Sequence, residues 1–234
     1  ETDLTGGNAT LNGSGTLTTQ GTSTFDMANG ANNRLFISGG RTWINQGTLN
    51  LGGDDYIDLY TGSGPTAFVN ASTATVNLTG TRADPFTGGG TFRNQGTLNQ
   101  ASATAYTLNM GAFHNEGTVN VSSARLSLAT NGTDTGLYAT DPGATLEFSN
   151  GSRTLASGSS ITGTGTFLIS GGNTTVDSPH SLTLSNLSLH GGTFGGSGNV
   201  TITGAFNLTG GNATLDGSGT LTTPVSYTHL TLPT

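Results

Sequence analysis

The 234-residue chain contains no cysteine, and its six basic residues are all arginines: Arg34, Arg41, Arg82, Arg93, Arg125 and Arg153. The absence of cysteine excludes disulfides and thiolate metal sites. Charged residues make up only 8% of the chain, aromatics 7%, and the formal charge is −7. An acidic chain without clustered Lys or Arg is a poor partner for nucleic acid or for an anionic membrane surface. No apolar run approaches the ~18 residues that a membrane-crossing helix needs. Lysine is absent and glutamate scarce, so good helix formers are few.

Glycine is what the chain has instead, at 39 residues, with Thr, Ser and Asn filling much of the remainder. A hydrophobic share of 32% can line a narrow core but not a thick globular one. Disordered chains combine high net charge with few β-branched residues, and this composition is the opposite.

Order shows first as a repeat. Residues 4–19, LTGGNATLNGSGTLTT, return at 208–223 with 15 of 16 positions identical and a single change, Asn12 to Asp216. The offset of 204 residues is too long for one supersecondary unit, so the block must contain smaller ones. One is an aromatic, any residue, Asn, Gln or Glu, Gly, Thr, Leu or Val, Asn. It reads WINQGTLN at 43–50, FRNQGTLN at 92–99 and FHNEGTVN at 113–120, with a degraded copy from Phe68 through Asn70 to Asn77. The leading aromatics step by 25, 24 and 21 residues. A second motif, Gly-x-Gly before a strand, marks Gly163, Gly196 and Gly217, the last two one 21-residue step apart. Between glycine clusters, apolar residues alternate, as in Leu126/Leu128, Leu146/Phe148, Leu182/Leu184, Leu187/Leu189, Val200/Ile202 and Phe206/Leu208. That alternation is the signature of short half-buried strands.

The step is the coil length of a parallel β-helix with two or three strands per circuit. The spacing therefore predicts an all-β, right-handed parallel β-helix (a solenoid) of about ten coils, 21–25 residues each, roughly 50 Å long at the strand spacing. Aromatics and Leu or Val are expected to point inward and stack between coils. Asn is expected to form amide ladders, and Gly to supply the positive φ of tight corners. Residues 1–223 are assigned to this repeat region. The last eleven residues, PVSYTHLTLPT, lack Gly and Asn where the repeat calls for QGTSTF, and 225–234 resemble the translated adapter of a sequencing library. Residues 224–234 are therefore expected to be a non-native tail. With no Met or signal peptide at Glu1, the natural N-terminus is expected to lie outside the sequence.

The set of GSGTL strands, FxNxGTLN coils and segments such as GATL at 143–146 resembles bacterial β-strand-repeat surface proteins of the filamentous-haemagglutinin-like adhesin and autotransporter-passenger type. The likeness covers residues 1–223. It implies export to the cell surface or beyond, a role as stalk or adhesive segment, and partners among host or environmental surfaces, glycans and neighbouring coils of the same protein. It supplies no catalytic motif, so catalytic, cofactor-binding and metal-ligating residues are all expected to be none, with no enzyme activity and no cofactor. The alternative is a fragment of a β-helical polysaccharide lyase or glycoside hydrolase.

Single residues and clusters offer other candidates. Asp54, Asp55 and Asp58 place three carboxylates within five residues, a composition that suits Ca²⁺, although the loop offers too few ligands. Asp84, Glu116, Asp134, Asp141, Glu147 and Asp177 are scattered, and glycoside cleavage needs paired carboxylates. Glu116 fills a repeat position that Gln46 and Gln95 hold elsewhere. His114, His180 and His190 have no metal-ligand spacing. A flat Thr array for ice or a crystalline glycan would need a Thr-x-Thr unit, such as Thr16/Thr18 or Thr73/Thr75, in every coil at one position. The sequence does not show one.

Overall fold

The computed structural model describes residues 2–4, 7–27 and 32–224. Every regular element among them is a β-strand, and every strand pairing is parallel. The chain is a parallel β-helix. Each circuit contributes three segments to three faces, and each segment pairs with its counterpart one coil on. The tail at 225–234 lies outside the described residues.

The first face is an eight-stranded stack running from Thr2–Leu4 through Thr22–Phe25, Thr48–Leu51, Thr75–Leu78, Thr97–Gln100, Thr118–Val121 and Leu137–Thr140 to Ser160–Gly163. A three-stranded stack of Ser181–Leu184, Asn199–Ile202 and Leu221–Thr222 continues it. These rungs agree with the expected count of about ten coils. The other two faces share a sixteen-stranded sheet. There, long strands such as Phe86–Asn94, Tyr106–Asn115 and Leu187–Gly196 bend round the corner and serve both faces.

The core is a thin column one side chain deep on each face. Leu49, Val76, Leu98 and Val119 stack on the first face, and Leu35, Ile57 and Phe86 on the second. Trp43, Phe68, Phe92 and Phe113 form the column of the third, as the repeated aromatic predicts. Their ring centroids are 5.0, 4.9 and 5.1 Å apart in edge-on arrangements. That is the preferred geometry for aromatic pairs at the rung spacing.

Two residues beyond each aromatic, the buried amides Asn45, Asn70, Asn94 and Asn115 form the expected ladder. Each Nδ2 donates to the next Oδ1, at 2.9, 2.8 and 2.9 Å. Asn115 at the end of the run donates to the Leu137 carbonyl at 2.9 Å. Buried amides are tolerated because nearly every valence is used.

The glycines divide in a way the sequence did not show. Gly163, Gly196 and Gly217, first in their Gly-x-Gly motifs, have φ of 97°, 116° and 119°, as expected of corners. The glycines of the aromatic motif are different: Gly96 and Gly117 are not among the positive-φ residues. A Cβ on Gly117 would lie 2.2 Å from the Gly96 carbonyl oxygen, and one on Gly96 2.2 Å from that of Ala74. Close approach between coils, rather than backbone handedness, demands glycine at these positions.

Candidate functional site

The acids suggested by the sequence do not converge. Asp55 turns inward and is buried; its carboxylate accepts the Met27 amide at 2.5 Å and the Asn33 amide at 3.2 Å, closing the corner of the coil below. Asp58, on the outward side of Tyr56–Leu59, pairs with Arg34 at 3.3 Å. Strand alternation thus separates carboxylates that are neighbours in sequence. Glu116 bridges Arg93 at 2.8 Å and accepts from Gln95 at 3.0 Å, so its repeat position joins adjacent coils. Glu147 meets Arg125 at 3.2 Å and the Ser170 hydroxyl at 2.6 Å. Asp141 and Asp177 are exposed, and Asp84 is half-buried in a corner. His114 Nδ1 accepts the Thr133 amide at 3.0 Å, His180 Nε2 lies 3.0 Å from the Ser159 hydroxyl, and His190 is exposed. Among the described residues, no group of three His, Asp or Glu is placed to hold a metal ion.

A second constellation gathers Asp134, one of the scattered acids, with partners that no spacing in the sequence links to it. Asp134 occupies the position of Asn115 one coil on and its carboxylate accepts the Asn115 backbone amide at 2.9 Å, while Gly132 follows Phe113 in the aromatic column. Gly132-Thr133-Asp134-Thr135-Gly136 is therefore a disguised copy of Phe113-His114-Asn115-Glu116-Gly117, the one sequence signal that pointed here. Without a side chain at 132, Arg153 from the next coil reaches back through the gap. A Cβ on Gly132 would lie 2.8 Å from Arg153 Nη1 and Nη2. Arg153 Nη2 lies 2.6 Å from both Asp134 carboxylate oxygens, 3.1 Å from the Tyr138 hydroxyl and 3.2 Å from the Phe113 carbonyl. Both charged side chains are fully buried, and the guanidinium lies 4.9 Å from the Phe148 ring centroid. Burial, followed by the negative charge of Asp134, pushes the Tyr138 hydroxyl well above its ordinary range, so it stays protonated. Burial also works against the Arg153 charge, but the Asp134 carboxylate outweighs it and holds the guanidinium charged. With no solvent access, this group has a structural role: it splices the aromatic-and-amide coils onto the Gly-x-Gly coils.

What the molecule offers to solvent is its faces. On the first face, register aligns Thr22, Thr48, Thr75, Thr97 and Thr118 in one outward column. Thr24, Asn50, Asn77, Asn99 and Asn120 form the next. In that second column Asn77 donates to Asn50 at 2.8 Å, Asn99 to Asn77 at 2.9 Å and Asn120 to Asn99 at 2.8 Å. No charged residue occupies this face from Thr22 to Ile202. Thr16/Thr18 lie on the third face and Thr73 in a turn. The unit that recurs on the first face is Thr-x-Asn.

The second face differs. Within Arg34–Ile37, Tyr56–Leu59 and the residues around them, Arg34, Phe36, Tyr56, Asp58 and Tyr60 point outward together, and Arg82 joins them from the next coil. Outward alternation could have flagged Phe36, Tyr56 and Asp58; Tyr60 and Arg82 come from corners that no periodicity predicts.

These features define a parallel β-solenoid. No family model, no curated protein and no solved structure matches the chain.

Proposed function

We propose that the chain is an extension and adhesion segment of a large secreted or surface-exposed bacterial repeat protein, working by spacing and contact rather than by turnover. The observation that carries this is the register itself. Coil after coil, the same positions are spent on stacking with the neighbouring coil, which leaves long, largely uncharged faces outward. Such arrays gain length by adding repeats and place variation on their surfaces. The return of residues 4–19 at 208–223 supports further blocks of the same kind. No helix among the described residues is long and apolar enough to cross a membrane.

Two measurements test this. Small-angle scattering on one and on two tandem 204-residue blocks should show constant cross-section and roughly doubled length. Antibodies raised against the chain should label intact, unpermeabilised cells that express the natural gene. A compact particle, or labelling only after permeabilisation, overturns the proposal.

A further inference from the structure

Tyr60 is 45% exposed, and the only other large hydrophobics comparably exposed among the described residues are Leu208 and Leu215 in the last described coils. A surface otherwise made of Gly, Ser, Thr and Asn gives its mid-column aromatics particular meaning. The Tyr60 ring does not hang loose. A Cβ on Gly62 would fall 2.1 Å from the Tyr60 hydroxyl oxygen and 2.3 Å from Cζ, so the ring lies down over the corner that follows it. The Thr66 hydroxyl donates to the Tyr60 carbonyl at 2.7 Å, fixing that corner. Phe36 on the preceding coil packs against Tyr60, with centroids 5.0 Å apart and planes 34° off parallel. At that separation the two rings are stacked at a tilt across neighbouring coils, so Phe36 supports the Tyr60 ring and Tyr60 carries the exposed aromatic surface.

Polar groups frame the rings. The Arg34 guanidinium lies 4.6 Å from the Phe36 centroid and pairs with Asp58 at 3.3 Å, while its side chain keeps 41% of its surface in water. Arg82 lies 4.4 Å from the Tyr56 centroid and also donates to the Asn32 side chain. On the far side Gly88 and Gly89 are exposed and carry no side chain, which leaves the next rung low beside the platform. Tyr and Arg are the residue types that dominate binding hot spots, because they offer area at little entropic cost.

From this arrangement we infer that Phe36, Tyr60, Arg34 and Asp58, with Tyr56 and Arg82 beside them, form a binding subsite for a neutral polysaccharide chain. The inference rests on the adhesive reading above and names its ligand class. Pyranose rings present flat C–H faces that stack on inclined aromatics. The Arg34–Asp58 pair supplies both donors and an acceptor for ring hydroxyls. Charge favours a neutral polymer: Arg34 is matched by Asp58, Arg82 is held against the Tyr56 ring and the Asn32 side chain, and the net charge of −7 on the whole chain disfavours a polyuronate or sulfated glycan. Extent argues against a folded protein partner: a stable protein interface needs about 800 Å² on each side, and among the described residues Tyr60 is the one exposed large hydrophobic short of the last coils.

Affinity electrophoresis of the whole chain through gels containing laminarin, hydroxyethylcellulose, xylan or galactomannan tests this, with polygalacturonate as the anionic control. At least one neutral polymer should retard the wild-type chain. Tyr60→Ala and Phe36→Ala, both outward-facing and checked by circular dichroism for retained β structure, should weaken that retardation by roughly tenfold or more. Thr97→Val on the first face should leave it unchanged. Retardation by none of the four neutral polymers, by polygalacturonate alone, or undiminished in both aromatic variants overturns the inference. A loss with Thr97→Val moves binding to the first face, which overturns this subsite while leaving the adhesive reading intact. Rod length from scattering is independent of all these outcomes.

Discussion

Arg153 stands in a column that holds Phe113 two coils earlier, and it stands there because residue 132 between them is glycine. A buried guanidinium is tolerated only with its counter-charge, so Asp134 and Arg153 are interdependent. Arg153→Leu should therefore cost about 3–5 kcal/mol by stranding the Asp134 carboxylate. Adding Asp134→Asn should recover most of that loss, since a neutral amide oxygen can still accept the Asn115 backbone amide without a stranded charge. Urea midpoints at neutral pH measure both; a double variant no more stable than the single one refutes the argument. Tyr138 gives a second test. Its hydroxyl is pushed above the ordinary value of 10.0, first by burial and then by Asp134. The folded state then keeps a proton that the unfolded chain releases. This contribution to stability is complete below about pH 10 and is lost as pH rises toward the folded-state pKa. Melting temperature should fall above about pH 10, and Tyr138→Phe should flatten that fall. An unchanged alkaline slope in the variant counts against it.

The coil is the element here, and its length varies: the aromatics step by 25, 24 and 21 residues without disturbing the column they form. Extra residues go into corners, such as 61–65 before Ala67–Asn70, where Tyr60 is laid down. Strands cannot absorb them, because a one-residue slip would turn every inward side chain outward. Between coils, one recurring constraint is the glycine two residues beyond the buried Asn. Gly117→Ala should destabilise by about 1–3 kcal/mol, because the methyl group meets the Gly96 carbonyl oxygen rather than open space. Gly143→Ala, where nothing lies within 4 Å of the added methyl, serves as the control for backbone strain alone, at φ 83°. Gly117 has no positive φ, so an unchanged melting temperature for Gly117→Ala would refute the coil-contact argument.

At the scale of the molecule, stability is spread along a one-dimensional stack, each coil supported by its two neighbours. The columns reach Leu208 and Leu215, which pair with Leu189 and Phe194 below and are 57% and 46% exposed above. The 234-residue chain should therefore self-associate by stacking further parallel rungs there. Sedimentation velocity at micromolar concentration should show species larger than the monomer, and Leu208→Asn with Leu215→Asn should reduce them. A single sharp monomer boundary for the wild-type chain refutes this.

The inward column, the amide ladder and the coil step were legible because a solenoid writes each as a local period. Trp43, Phe68, Phe92 and Phe113 announce their shared column by motif alone. The surfaces were not legible in the same way. Whether Thr22 and Thr48 share a column, or Phe36 meets Tyr60, depends on how many residues the corners between them consume. The stacked backbone hydrogen bonds set that register. Arg153 was hidden for a related reason: its partners lie 15, 19 and 40 residues away in sequence, and only the gap at Gly132 brings them together. Periodicity in the sequence fixes which side of the sheet a residue faces; the three-dimensional stack alone decides which residues it faces there.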